Sequence, residues 1–83
     1  MDKKNYTIHS PLMGTFYRAS APGEKSFVKT GQKIAINDVT CVIESMKIFT
    51  EIRSERAGIV SKILLENEEL VMKDQALIEI KLD

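Results

Sequence analysis

Short apolar runs, separated by turn residues, recur along the whole chain. Runs rich in β-branched and aromatic side chains between Gly, Pro, Asn, Asp and Ser are typical of strands. They predict strands at residues 6–9, 14–18, 33–36, 39–44, 48–52, 59–65, 70–72 and 76–82. No stretch has the period of an amphipathic helix, although the Glu-rich residues 66–70 could form one helical turn. Strands at this spacing predict an all-β fold, a small sandwich or a flattened barrel.

The apolar pattern also repeats within the chain. Gly14 matches Gly58 at an offset of 44, whereas residues 37–43 match residues 74–80 at an offset of 37. The first copy therefore holds 44 − 37 = 7 residues that the second copy lacks. The repeat predicts a sandwich of two quasi-symmetric halves.

The additional residues of the first copy fall within residues 19–26. This stretch is small and polar and contains Pro22 and Gly23, a dipeptide that marks turns and loops. It predicts a loop that protrudes from the body of the sandwich.

Met46 and Lys47 lie between two predicted strands and link the two copies. A two-residue hairpin usually has Asn-Gly or Asp-Gly at its tip, because the turn needs positive φ. Met-Lys is a poor local choice, and such conflicts are concentrated at functional sites. From the turn alone, a functional lysine and a merely solvated one are both possible.

Size and charge limit the classes of function. A single domain of 83 residues has little room for an enclosed active site as well as a core. Its composition, 43% apolar and 29% charged, is that of a globular protein. A net charge of zero with interspersed signs argues against a nucleic-acid-binding surface. No apolar run is long enough to span a membrane, and no secretion signal is recognisable.

Cys41 is the single cysteine, so no internal disulfide can form and a reducing compartment is expected. It stands in the apolar run at residues 39–43, which predicts a buried core position. A zinc site is not expected with one cysteine and one histidine, His9. We predict no catalytic residue and no metal ligand.

Four short segments stand in order along the chain: residues 10–18, Gly-Gln at 31–32, Ser-Met-Lys-Ile at 45–48 and Gly-Ile-Val at 58–60. Together they resemble the biotinyl domains of biotin-dependent carboxylases, and within them the carriers of acetyl-CoA carboxylases. Residues 45–48, Ser-Met-Lys-Ile, resemble the Ala-Met-Lys-Met biotin attachment motif. Residues 10–18 resemble the Ser-Pro-Met-Val-Gly-Thr-Phe-Tyr-Arg segment of the carriers. Gly-Gln at residues 31–32 and Gly-Ile-Val at residues 58–60 fit two further motifs. The resemblance covers residues 6–81 of what we expect to be one carrier domain, 1–83.

The resemblance also implies a role for the loop at residues 19–26. It matches the protruding thumb of these carriers, which implies that Ala21, Pro22 and Gly23 lie over the biotin. Two differences concern the attachment motif, where Ser45 replaces Ala and Ile48 replaces Met. Glu68 stands where the second half usually has Gly, so that turn could be helical. The mobile N-terminal extension of such carriers is not in this sequence, so we expect an excised domain or a short carrier.

The function implied by the resemblance is that of a non-catalytic carrier. A biotin protein ligase would attach biotin covalently to Lys47, with Met46 and Ile48 as its apolar contacts. A biotin carboxylase subunit would then load a carboxyl group, and carboxyltransferase subunits would pass it to acetyl-CoA. The product would be malonyl-CoA for fatty-acid synthesis, in a bacterial cytoplasm or a plastid stroma. Neither nucleic acid nor membrane is expected as a partner.

Several alternatives are kept. The chain could be the biotinyl domain of another carboxylase, or a lipoyl carrier, although lipoyl domains lack the thumb and their lysine usually follows Asp. A stand-alone enzyme with a nucleophilic lysine would need a pocket and a base, which a hairpin tip does not offer. A protein-interaction module would need no modified lysine at all.

Overall fold

Alternating apolar residues build an eight-stranded sandwich in this computed structural model, which describes residues 4–21 and 23–82. The strands are β1 (Asn5–His9), β2 (Gly14–Tyr17), β3 (Lys33–Ile34), β4 (Val39–Ser45), β5 (Ile48–Arg53), β6 (Gly58–Ile63), β7 (Leu70–Val71) and β8 (Ala76–Leu82). Each corresponds to a strand predicted from the sequence, and the described residues contain no helix. The predicted all-β fold is confirmed.

Two four-stranded antiparallel sheets face each other. One has the order β5-β4-β2-β7 and carries the Met46-Lys47 hairpin, so we call it the tip sheet. The other, with the order β1-β8-β6-β3, brings the first and last strands together, so we call it the terminal sheet. Each sheet takes two strands from each sequence copy. The order in one sheet becomes the order in the other when β1, β2, β3 and β4 are exchanged for β5, β6, β7 and β8.

The two halves also repeat their loop contacts. The N–H of Asn37 donates to the carbonyl of Ser54, and the N–H of Asp74 donates to the carbonyl of Ser10, both at 2.7 Å. Ser10 and Ser54, both fully buried, each donate a side-chain hydrogen bond to a carbonyl two residues further on. The quasi-two-fold symmetry predicted from the two offsets is therefore present at the level of single hydrogen bonds.

The core lies between the two sheets and is built from the inward-facing residue of each strand pair. In β2 and β4, for example, Phe16 is directly opposite Ile43, and both are completely buried. Burying a side chain of this size contributes roughly 1.5–3 kcal/mol. The buried apolar cluster comprises Ile8, Phe16, Val28, Ile34, Cys41, Ile43, Ile52, Val60, Leu65, Val71, Leu77, Ile78 and Ile80.

The possible helical turn at residues 66–70 is not present. Residues 66–69 form a turn, and β7 begins at Leu70. Glu68 has a φ of 70°, and its equivalent in the first half, Gly31, has a φ of 91°. The helical interpretation was wrong because the backbone follows the left-handed conformation of its symmetry mate, although a side chain is present.

Candidate functional site

The hairpin between β4 and β5 holds Lys47 at its tip. Ser45 pairs with Ile48, so the connection contains only Met46 and Lys47. Their φ values are 52° and 67°, and positive φ at both central residues is the signature of a type I′ turn. Each left-handed non-glycine residue costs about 1–2 kcal/mol. The pairing of the two strands therefore holds Met46 and Lys47 in a turn conformation that is unfavourable for non-glycine residues.

Glu44 stabilises the turn with its side chain. Its carboxylate accepts a hydrogen bond from the backbone N–H of Lys47 at 2.8 Å. Glu44 is itself held in register between Thr15 of β2 and Phe49 of β5. The carboxylate is therefore fixed by the sheet, and it satisfies a backbone donor that the turn would otherwise leave to water.

The tip presents its side chains to solvent. Met46 is 90% exposed and Ile48 is 67% exposed, on either side of the exposed Lys47. Two large apolar side chains in this position contribute nothing to the core. The arrangement displays a primary amine between two apolar contacts, which suits acylation of the amine by a partner that recognises its flanks.

The loop at residues 19–26 is closed at its base. Ala19 and Ser26 form an isolated bridge, and the N–H of Phe27 donates to the carbonyl of Arg18 at 2.7 Å. Of the three residues expected over the biotin, Ala21 and Gly23 are exposed, and Gly23 has a φ of 83°. The third, Pro22, lies outside the described residues.

A groove of about 880 Å³ lies between this loop and the outer face of the tip sheet. Tyr17 and Phe49 form part of its wall, with their ring centroids 6.3 Å apart. Opposite charges on β5 form another part, where the guanidinium of Arg53 contacts the carboxylate of Glu51 at 2.6 Å. The full lining is Tyr17, Ala19, Ser20, Ala21, Phe27, Val42, Phe49, Glu51, Arg53 and Glu68.

The structure thus brings Ala21 to the same groove as Phe49, which follows Lys47 by two residues. Lys47, Met46 and Ile48 do not line the groove themselves. Sequence reasoning placed Glu44 and Tyr17 within family motifs but gave them no role at the site, and it did not single out Phe49. The alternation in β5 could have indicated Phe49, because buried Ile52 fixes which positions face inward and leaves this aromatic facing outward.

The described residues contain neither a reactive cysteine nor a cluster of metal-binding side chains. Cys41 is completely buried, as predicted, and burial raises the pKa of its thiol to about 12. A thiol of this kind is inert at neutral pH. Within residues 4–21 and 23–82, no group of three His, Cys, Asp or Glu side chains could hold a metal ion. Nor do these residues include a helix long and apolar enough to cross a membrane.

Comparison with known proteins agrees with the geometry. The family model described as "Biotin-requiring enzyme" matches residues 6–80. The biotin carboxyl carrier protein of acetyl-CoA carboxylase from Porphyra purpurea is 46% identical over 78 residues, 93% of this chain and 50% of that protein. The protein of the same name from Haemophilus influenzae is 38% identical over 76 residues, 92% of this chain and 49% of that protein.

The chain spans about half the length of these relatives. A third relative, the chloroplastic carrier protein of Glycine max, is 43% identical over 74 residues, 89% of this chain and 28% of that protein. Among solved structures, the urea carboxylase of Kluyveromyces lactis matches with a TM-score of 0.77 at 22% identity. That match covers 96% of this chain and 6% of the enzyme, and it supports the fold.

Proposed function

This chain belongs to the family of biotin-requiring enzymes, and on that premise we propose that it is the biotin carboxyl carrier of an acetyl-CoA carboxylase. It would act as a carrier and not as a catalyst. The observation that carries the proposal is Lys47, displayed at a strained, carboxylate-supported hairpin tip between two exposed apolar residues.

In this proposal Lys47 is the site of covalent biotin attachment. A biotin protein ligase transfers the biotinyl group from its adenylate to the amine of Lys47, so that an amide forms, AMP leaves and the amine loses a proton. Met46 and Ile48 provide the ligase with apolar contacts. The sheet holds the tip in one conformation, which lowers the entropy cost each time the lysine enters a partner's site.

The attached biotin supplies a ring nitrogen that carries a carboxyl group between two active sites. The partners we propose are a biotin carboxylase subunit, which loads this group, and carboxyltransferase subunits, which transfer it to acetyl-CoA. Because the relatives come from bacteria, algae and chloroplasts, a bacterial cytoplasm or a plastid stroma is the proposed compartment. Tethering raises the effective concentration at both sites without any additional contact.

The thumb, residues 19–26, is proposed to restrain the biotin. The groove beneath it fits a bicyclic ring with a polar edge, because it combines the rings of Tyr17 and Phe49 with charged groups on β5. Phe49 lies two residues from Lys47, within reach of a long acylated side chain. Ala21 supports this role by lining the groove, and Gly23 by permitting the bend.

Intact mass after incubation with a biotin ligase, ATP and biotin tests the proposal. We expect a gain of one biotinyl group on the chain and no gain on the Lys47→Arg variant, which keeps the charge of the tip. Peptide mapping should place the group on Lys47 alone.

The ligase must modify a known carrier in the same experiment. If it does so and leaves this chain unmodified, the biotin proposal is wrong. Modification by a lipoyl ligase instead would identify a lipoyl carrier, and failure of both ligases would favour a protein-interaction module.

A further inference from the structure

The outer faces of the two sheets can be compared row by row, because the strand pairing gives equivalent positions. On the tip sheet, one row across the four strands consists of Leu70, Thr15, Glu44 and Phe49. On the terminal sheet, the equivalent row consists of Lys33, Ile59, Lys81 and Asn5. Directly paired residues in antiparallel strands lie on the same face, so each row lies on the surface of one sheet.

The two faces differ in polarity at equivalent positions. Three of the exchanges in the rows give the tip sheet the more apolar or acidic residue: Leu70 for Lys33, Phe49 for Asn5 and Glu44 for Lys81. The next row adds Tyr17 and Val42, whose equivalents by the same offsets are Ser61 and Glu79. The exchange of Thr15 for Ile59 is the exception.

The thumb explains only part of this difference. Tyr17 and Val42, which are half-buried and buried, line the groove beneath the thumb together with Phe49. Leu70 is not in the groove, yet it is 64% exposed. It lies three strand spacings from Phe49, about 14 Å across the sheet. The presence of an exposed leucine at position 70 is therefore not explained by packing in the core, by the thumb or by a biotin held in the groove.

The charges on the outer face of the tip sheet indicate which kind of partner could bind there. Glu44 lies in the row itself, and Glu68 lines the groove. The carboxylate of Glu51 is paired with the guanidinium of Arg53. Acylation of Lys47 would remove a positive charge beside them, which leaves the face acidic around its apolar residues. An acidic face repels nucleic acid and anionic membranes, and it complements a protein surface with lysine or arginine at its edge.

We propose that the outer face of the tip sheet, with Leu70 and Phe49 as its apolar contacts, docks the carrier on a partner protein that receives the biotinyl arm. That partner presents an apolar centre bordered by lysine or arginine side chains. This inference depends on the proposed function. The face is continuous with the tip through Glu44, so a partner bound there has Lys47 at the edge of its contact area.

The test uses the full-length, biotinylated protein with the biotin carboxylase and carboxyltransferase subunits from the same genome. Leu70→Lys introduces the residue found at the equivalent Lys33, so the fold has already accepted it there. We expect kcat/KM for the carrier to fall about tenfold with at least one subunit, because the lysine removes an apolar contact and its charge would have to be desolvated in the interface. Ile59→Lys is the matched control on the terminal sheet and should leave the rate unchanged.

Complete biotinylation is first verified by mass for each variant, which separates this test from that of the proposed function. If Leu70→Lys is biotinylated and serves both subunits as well as the parent does, the docking face is wrong. An equal loss from Ile59→Lys would also overturn it. So would a dimer in sedimentation that dissociates with Leu70→Lys, because the face would then bind a second copy.

Discussion

The tip between Ser45 and Ile48 and the meeting point of Leu82 and Lys4 are equivalent places in the two halves. At the first, β4 and β5 are joined by a two-residue turn. At the second, the N–H of Leu82 donates to the carbonyl of Lys4 without any turn between them. The same strand arrangement is therefore closed by a turn between β4 and β5, whereas the equivalent strands β8 and β1 are joined at their ends by a hydrogen bond and not by a turn.

The residues beside these two places differ accordingly. Glu44 supports the tip by accepting the N–H of Lys47, and its equivalent, Lys81, has no acceptor to offer. The first half also contains the thumb, which the second lacks. The comparison shows that the strand order of the scaffold follows the symmetry of the sequence, whereas the two-residue turn, Glu44 and the thumb depart from it and lie around the candidate site.

The largest predicted effect tests whether equivalent positions in the two halves contribute equally to the free energy of unfolding. A Cβ on Gly14 would lie 2.5 Å from the carbonyl oxygen of Glu44, and one on Gly58 would meet the carbonyl of Lys81 as closely. Because a backbone group cannot move away easily, Gly14→Ala and Gly58→Ala should each lower the free energy of unfolding by about 3 kcal/mol. Urea denaturation measures both, and a cost confined to one of them would contradict the symmetry.

A second prediction concerns a core position where the halves differ, since Cys41 is equivalent to Ile78. Burial raises the pKa of Cys41 from its ordinary value of 9.0 to about 12. Below pH 9 both folded and unfolded chains hold the proton. Above pH 9 the unfolded chain loses it first, so stability should fall by up to about 1.4 kcal/mol per pH unit until the folded thiol titrates.

Cys41→Ala removes this thiol and serves as the control. Between pH 9 and pH 11 the parent should lose roughly 2–3 kcal/mol more stability than the variant, as measured by chemical denaturation. Parallel stability curves for the two proteins would show that the thiol ionises as easily in the folded state as in the unfolded one.

The smallest predicted effect concerns the turns at Gly31 and Glu68. Both residues have positive φ, and only the first is glycine. Glu68→Gly should stabilise the fold by about 0.5–1 kcal/mol, because glycine adopts this conformation without a steric cost. Gly31→Ala should destabilise it by a similar amount. A shift of the thermal midpoint in the wrong direction for Glu68→Gly would indicate that its side chain makes contacts that outweigh the strain.

The order of residues was sufficient to predict the strands, the repeat and the position of the loop. The alternation of apolar and polar residues around positions such as Phe16 and Ile43 involves only neighbours in sequence, so it can be recognised without the structure. The two offsets, 44 and 37, located the additional loop residues to 19–26, where the structure has the bridge between Ala19 and Ser26. The unusual tip residues, together with the family resemblance, drew attention to Lys47.

The pairing of the strands, and the side chains that this pairing brings together, became known from the folded structure alone. Each sheet mixes strands from both copies, and nothing local in β2 specifies β4 and β7 as its neighbours. Such pairing is decided by burial of the whole core, since many registers satisfy the same alternation. The left-handed φ of Glu68 and the exposure of Leu70 both follow from the pairing of β7 and its turn with β2. They could not be predicted from the order of residues because each depends on neighbours that are distant in sequence.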